Sequence, residues 1–107
     1  MLPPPDALVI APATFNTTNK LANGISDTLA LGLLNEAVGL GLPVMAVPWP
    51  NAPLARHPAF QRSVATLRDW GVTLILDPAR LPEASTEPAV FPWEELRAGL
   101  VSLRTGA

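Results

Sequence analysis

The sequence predicts an α/β fold in which parallel strands are covered by helices, and three observations carry that expectation. Strand-like and helix-like runs alternate three times along the 107 residues. The strand runs are apolar at successive positions rather than at every second one, too apolar for a sheet with one face in water. No internal repeat and no composition break divides the chain, so residues 1–107 read as a single domain.

Each element follows from local chemistry. Residues 2–6, LPPPD, form a stiff extended lead-in, because proline fixes φ and offers no N–H. Ala7 to Ala11 is a short apolar run, predicted to be a strand buried on both faces and ended by Pro12. The polar stretch PATFNTTN (12–19) reads as a loop leading towards a helix. Ser26 is the expected N-cap of the next helix, with Asp27 in its first turn where the dipole favours an acid. The helix DTLALGLLNEAVGLG is apolar nearly all round and stops at Gly39, Gly41 and Pro43, so it is expected to pack on more than one side.

A second buried strand, PVMAVPW (43–49), is followed by an expected loop, PNAPLARHP (50–58). Pro58 suits the first helical position, where a missing N–H costs nothing. Phe60, Val64 and Leu67 then fall on one stripe, with Gln61, Arg62, Arg68 and Asp69 off it and Gly71 closing the helix. VTLIL (72–76) is the third strand, residues 77–92 are loop, and Trp93, Leu96, Leu100 and Leu103 give a last amphipathic helix after Pro92.

Composition narrows the function. Seven basic and nine acidic residues give a net charge of −2, with no basic face for nucleic acid or anionic lipid. Charged residues make up 15% against 49% hydrophobic, so some apolar surface is expected to meet another chain, as in a homo-oligomer. The absence of cysteine excludes disulfides, thiolate metal sites and cysteine nucleophiles. MLPPPDALVIAP lacks the basic start of a signal peptide, and the apolar residues 28–47 are too interrupted to span a bilayer, so a cytoplasmic protein without a membrane partner is expected.

In an open parallel sheet, ligands bind beyond the carboxyl ends of the strands. Two proline-started turns leave those ends, PATFNTTN (12–19) and PWPNAP (48–53), and each carries an asparagine. The first offers the hydroxyls of Thr14, Thr17 and Thr18, the amide of Asn16 and the N–H groups of a helix start. Such donors suit a phosphate or a planar heterocycle and do not suit a metal. Capping of the next helix accounts for the same residues equally well. His57 reads as the flank of a helix, Trp70 and Trp93 as core, Arg56 and Arg62 as solvated, and Glu36 as exposed or facing another subunit.

APATFNT followed by NKLANGISDTLA resembles the signature of the flavin-dependent cysteine decarboxylases, the family of phosphopantothenoylcysteine decarboxylase and the lantibiotic peptidyl-cysteine decarboxylases. Its first motif reads P-A-S-A-N-T: Pro12, Ala13, Asn16 and Thr17 match, Thr14 replaces the serine and Phe15 the small alanine. The second, P-x-M-N-x-x-M-W, falls on PWPNAPLA, where Pro48 and Asn51 match while Pro50, Leu54 and Ala55 depart. HPAFQRSVATLRDWGV is similar to the helix and strand that come after that motif in the same proteins, so the resemblance spans roughly residues 6–76. It implies a three-layer, Rossmann- or flavodoxin-like parallel sheet, with FMN bound between subunits of a homotrimer. It also implies that Thr14, Phe15, Asn16 and Thr17 touch the flavin or its phosphate, that Trp49 and Pro50 lie beside the ring, and that Asn51 hydrogen-bonds the carboxylate or amide of a small thiol- or carboxylate-bearing substrate.

Three parts of the family pattern are not found. The first βαβ unit with its glycine loop, and the catalytic histidine on it, would lie before Met1, and DPARLPEASTEP replaces a cysteine-bearing flap. The sequence is therefore expected to be a domain incomplete at its N-terminus, binding FMN weakly by itself. A catalytically silent flavin-binding or regulatory subunit is the alternative, and Asn16 argues against a flavin prenyltransferase.

Overall fold

The computed structural model describes residues 7–83 and 91–104, and side chains only as far as residue 102. The proline-rich lead-in at 2–6, loop residues 84–90 and the side chain of Leu103 lie outside the described residues. The chain runs β1 (Leu8–Ala13), α1 (Phe15–Ala22), α2 (Leu29–Leu40), β2 (Val44–Pro48), α3 (Ala52–Ala55), α4 (Pro58–Asp69), β3 (Thr73–Leu74), a 3-10 turn (Pro78–Arg80) and α5 (Trp93–Arg104). The three strands are parallel in the order β1-β2-β3, with Leu8 opposite Val44, Ile10 opposite Ala46 and Met45 opposite Thr73. Parallel strands with helices on both sides are the expected α/β class.

Side chains alternate across β2, so its two faces build two cores. Val44 and Ala46 pack with Leu21 and Ala22 of α1, Leu31, Leu34 and Ala37 of α2, and Leu67 of α4. Met45 and Val47 face the other way and meet Leu96 of α5, with Ile75 and Phe91 beside them. Gly99 is what lets α5 come so close: a Cβ there would stand 2.7 Å from the Met45 methyl. β2 is buried at all five positions, as a central parallel strand should be.

Several local expectations need correction. β1 extends through Pro12 to Ala13, with a cis Ala11–Pro12 bond and a register slip between Ile10 and Ala13. It is not buried on both faces, since Val9, Ala11 and Pro12 are exposed. Residues 15–19 are helical, because Thr14 caps α1 through Oγ1, which accepts from Thr17 N. Thr28, not Ser26, caps α2 by accepting from Leu31 N. Ser26 instead accepts from Asn35 Nδ2, and Asp27 pairs with Lys20. The loop after β2 contains the single turn of α3, capped by Asn51, and β3 pairs only over Thr73–Leu74. Trp70 and Trp93 are exposed rather than core. α2 packs on one side only among the described residues, leaving Leu29 81% and Leu33 49% exposed.

α2 ends where expected. Gly41 takes φ of 76° while Gly41 N and Leu42 N close on the carbonyls of Val38 and Ala37. No atom stands near its missing Cβ, so the demand for glycine is purely conformational. Gly41→Ala is expected to lose about 1–2 kcal/mol, the usual penalty for a side chain in the left-handed region. Thermal unfolding checks this, and an unchanged midpoint would mean that the turn relaxes without loss.

Candidate functional site

The register places the carboxyl ends of β1 and β2 side by side, with Ala13 opposite Pro48. Trp49 N donates to Ala13 O at 2.9 Å, joining the two turns that leave those ends. Phe15 and Trp49 both pack on the cluster of Ala52, Ala55, Phe60, Val64 and Leu81. The start of α1 and the turn ahead of α3 therefore share one rim of the sheet, the crevice position of open α/β folds.

Most of the polar cluster in the first turn holds the fold together. Thr14 Oγ1 accepts from Thr17 N and donates to Thr17 Oγ1, both at 3.0 Å. Thr18 is buried, its hydroxyl donating back to Thr14 O at 2.8 Å. Asn19 Oδ1 accepts from the buried Ser63 hydroxyl at 2.6 Å, locking α1 onto α4. Asn16 is the exception: it is exposed on the first turn of α1, and among the described residues its amide has no hydrogen-bond partner. Helix geometry also leaves the N–H groups of Phe15 and Asn16 without intrahelical acceptors.

In the second turn Asn51 is half-buried, and its Oδ1 accepts from Leu54 N at 3.0 Å. Capping thus occupies the oxygen, while Nδ2 has no partner among the described residues. Trp49 is half-buried and keeps part of its indole open, whereas Pro50 is buried and has little surface left for a ligand. His57 caps α4, with Nδ1 accepting from Ala59 N at 2.9 Å and its ring edge-on to Phe15, centroids 5.6 Å apart.

Sequence reasoning missed the neighbours that brace this rim. Phe91 lies 5.3 Å from Trp49 by ring centroids, and Trp93 4.6 Å from Phe91. Ala52 N donates to Pro82 O at 2.7 Å, so the segment after the 3-10 turn crosses the start of α3. The aromatic pair in FPW (91–93) was the available signal. A polar hollow of about 210 Å³ between α1 and α4, lined by Asn19, Asn23, Arg62 and Thr66 among others, contains none of the predicted residues. Among the described residues no group of three His, Cys, Asp or Glu side chains could hold a metal.

Chemically, the rim offers the Asn16 carboxamide, two helix-start N–H groups, the Asn51 Nδ2 and a half-open indole. Neutral donors beside an aromatic face fit a planar heterocycle whose edge carries hydrogen-bond acceptors. That is the chemistry of an isoalloxazine, so the residues present fit a flavin.

Comparisons with known proteins bear on the family and the fold. The Flavoprotein family model matches residues 3–104. The chain is 37% identical over 70 residues to the coenzyme A biosynthesis bifunctional protein CoaBC of Bacillus subtilis (strain 168), covering 65% of this chain and 16% of that protein. Among solved structures it is similar to the FMN-dependent cysteine decarboxylase TvaF of thioviridamide biosynthesis, at TM-score 0.68 and 30% identity over 92% of this chain and 49% of that one. It is also similar to a PPC decarboxylase mutant complexed with pantothenoylaminoethenethiol, at TM-score 0.73 and 28% identity over 95% of this chain and 56% of that one. The chain therefore spans about half the length of these solved relatives. The fold is the flavodoxin-like one that these neighbours share. No helix among the described residues is long and apolar enough to cross a membrane.

Proposed function

The chain belongs to the Flavoprotein family, and from that premise we propose that it binds FMN at the rim where β1 and β2 end. Thr14, Phe15, Asn16 and Thr17 meet the flavin or its phosphate, and Trp49 lies beside the ring, with Pro50 behind it. Asn51 donates through Nδ2 to the carboxylate or amide of a small thiol- or carboxylate-bearing substrate. The observation that carries this reading is Asn16, the one member of the first polar turn that does no structural work in the described residues.

Bound FMN supplies two-electron oxidation of a thiol-bearing carbon, the step that makes loss of CO₂ easy in a cysteine-type decarboxylase. The chain's own share is orientation. The cap on α1 fixes where Asn16 stands, the cap on α3 fixes Asn51, and the buried cluster beneath holds both turns in one place. The parent protein is accordingly read as a flavin-dependent carboxy-lyase working as a homo-oligomer, a trimer by family resemblance. The exposed Leu29 and Leu40 of α2 support a further chain packing there.

A catalytically silent flavin-binding subunit is the second reading, and one observation favours it for this chain. His57, the single histidine, already spends Nδ1 on the α4 cap and its ring on Phe15. Titration of the purified chain with FMN tests the proposal. We expect weak uptake, seen as flavin absorption that stays with the protein, and no CO₂ release from cysteinyl substrates by this chain alone. A folded sample that stays colourless in excess FMN would overturn the flavin reading, and measurable CO₂ release would overturn the silent one.

A further inference from the structure

α1 and α4 leave the rim side by side. Phe15 stands against His57 and Phe60 at their starts, with ring centroids 5.6 and 6.1 Å apart. One turn further along both helices, the Ser63 hydroxyl donates to Asn19 Oδ1 at 2.6 Å. The polar hollow of about 210 Å³ lies along this seam, with Asn23, Arg62 and Thr66 in its wall. It has room for a group several times the size of a water.

The polar groups there are left over from the fold, and most of them are donors. Asn19 spends Oδ1 on Ser63, and among the described residues its Nδ2 has no partner. The half-buried Thr66 hydroxyl has none either, in contrast to Thr18 and Ser63, which bond back to the carbonyls of Thr14 and Ala59. Arg62 is the cation of the lining. It has no ion pair among the described residues, whereas Lys20, Arg56 and Arg80 each have one. Neither Asp nor Glu lines the hollow. α1 ends beside it, yet Asn19 O is taken by Asn23 Nδ2, Lys20 O by Asn23 N and Ile25 N, and Leu21 O by Gly24 N. Little bare negative charge is left there to repel an anion. Asn23 keeps one free atom, the acceptor Oδ1.

We infer that this hollow binds a small phosphate monoester, its phosphate held by Arg62, Asn19 Nδ2 and the Thr66 hydroxyl, and its alcohol part beside Asn23 Oδ1. A guanidinium fork with two neutral donors suits a tetrahedral oxyanion. A hydroxyl on the alcohol part gives Asn23 Oδ1 its donor, which inorganic phosphate does less well. A divalent cation needs carboxylate or carbonyl oxygens, and here a guanidinium stands in their place. Nucleic acid needs a basic face, and this wall has one arginine in a chain of net charge −2. The site goes beyond the flavin reading, since none of its residues belongs to the rim.

Titration of the 107-residue chain with inorganic phosphate and with glycerol 3-phosphate, at constant ionic strength, tests this by NMR. Both should give saturable shifts at the Asn19 side-chain amide and the Arg62 Nε–H, with the ester binding more tightly. Arg62→Ala should weaken ester binding at least about tenfold, through loss of a charge-assisted bond. Arg62→Lys keeps the charge without the fork and should fall in between. Thr66→Val removes only the hydroxyl and should weaken binding about fivefold. Arg68→Ala removes an equal charge from α4 outside the lining and should change nothing. Arg62 is exposed and unpaired among the described residues, so its variants should melt with the parent. Shifts that do not saturate, or equal losses from Arg62→Ala and Arg68→Ala, would reduce the effect to diffuse attraction and overturn the site. An ester no tighter than phosphate overturns the part given to Asn23. Self-association that Arg62→Ala abolishes and phosphate reverses would put a carboxylate of a second copy in the hollow, overturning the small-molecule occupant. The flavin reading fails separately: a chain that ignores FMN and still binds the ester loses the rim assignment and keeps this one.

Discussion

Phe60→Ala is expected to lower stability by about 3–5 kcal/mol, the range for removing a buried aromatic side chain. Phe60 is fully buried and sits where α4 meets α3 and the chain after β3, among Ala52, Ala55, Val64 and Leu81. Its ring also stacks on Phe15, with centroids 6.1 Å apart. Two of its buried neighbours are alanines, which cannot swing in to fill the space a phenyl leaves. Single domains hold only about 5–15 kcal/mol in total, which makes this loss a large fraction of the reserve. Urea unfolding measures it, with Phe60→Leu expected to lose much less. A deficit under about 1 kcal/mol would show that the cluster collapses around the hole, and that the rim does not depend on it.

That cluster shows why the architecture was legible and the site was only half so. Phe60, Val64 and Leu67 are spaced for one face of a helix, and all three are buried. The all-apolar β2 is likewise the central strand that its composition demands. Expectations failed where a short-range competitor decided the outcome. Ser26 and Thr28 are both good caps, and the choice fell to Thr28 because Asn35 engages the Ser26 hydroxyl. Asn51 and Pro53 nucleate one turn of helix within what reads as loop. The exposed tryptophans had no sequence signature, since their contacts depend on how α4 and α5 end against neighbours. Trp93 stands 66% exposed against Phe91, a contact made across the turn into α5 rather than within the core.

The polar cluster after β1 posed the harder question, because capping and ligand binding call for the same residue types. The structure separates them residue by residue, with Thr14, Thr17, Thr18 and Asn19 bonded internally and Asn16 left open. Asn16→Ala should therefore leave unfolding within about 0.5 kcal/mol of the parent, as for a surface change that touches nothing. In contrast, it should weaken FMN retention about tenfold, the loss of one hydrogen bond to a buried polar partner, roughly 1.4 kcal/mol. Asn51 needs a different pair of variants, because its oxygen is structural. Asn51→Ala removes the α3 cap and should lower stability by about 1 kcal/mol. Asn51→Asp retains a capping oxygen and stability but removes the Nδ2 donor, so only binding should suffer. His57→Ala, which removes a cap on α4, should shift stability more than flavin retention. If His57→Ala releases FMN more readily than Asn16→Ala does, the ligand sits over α4 and the rim assignment is wrong. If Asn16→Ala instead destabilises the fold, the amide has a structural role, and the strongest reason for placing a flavin beside it disappears.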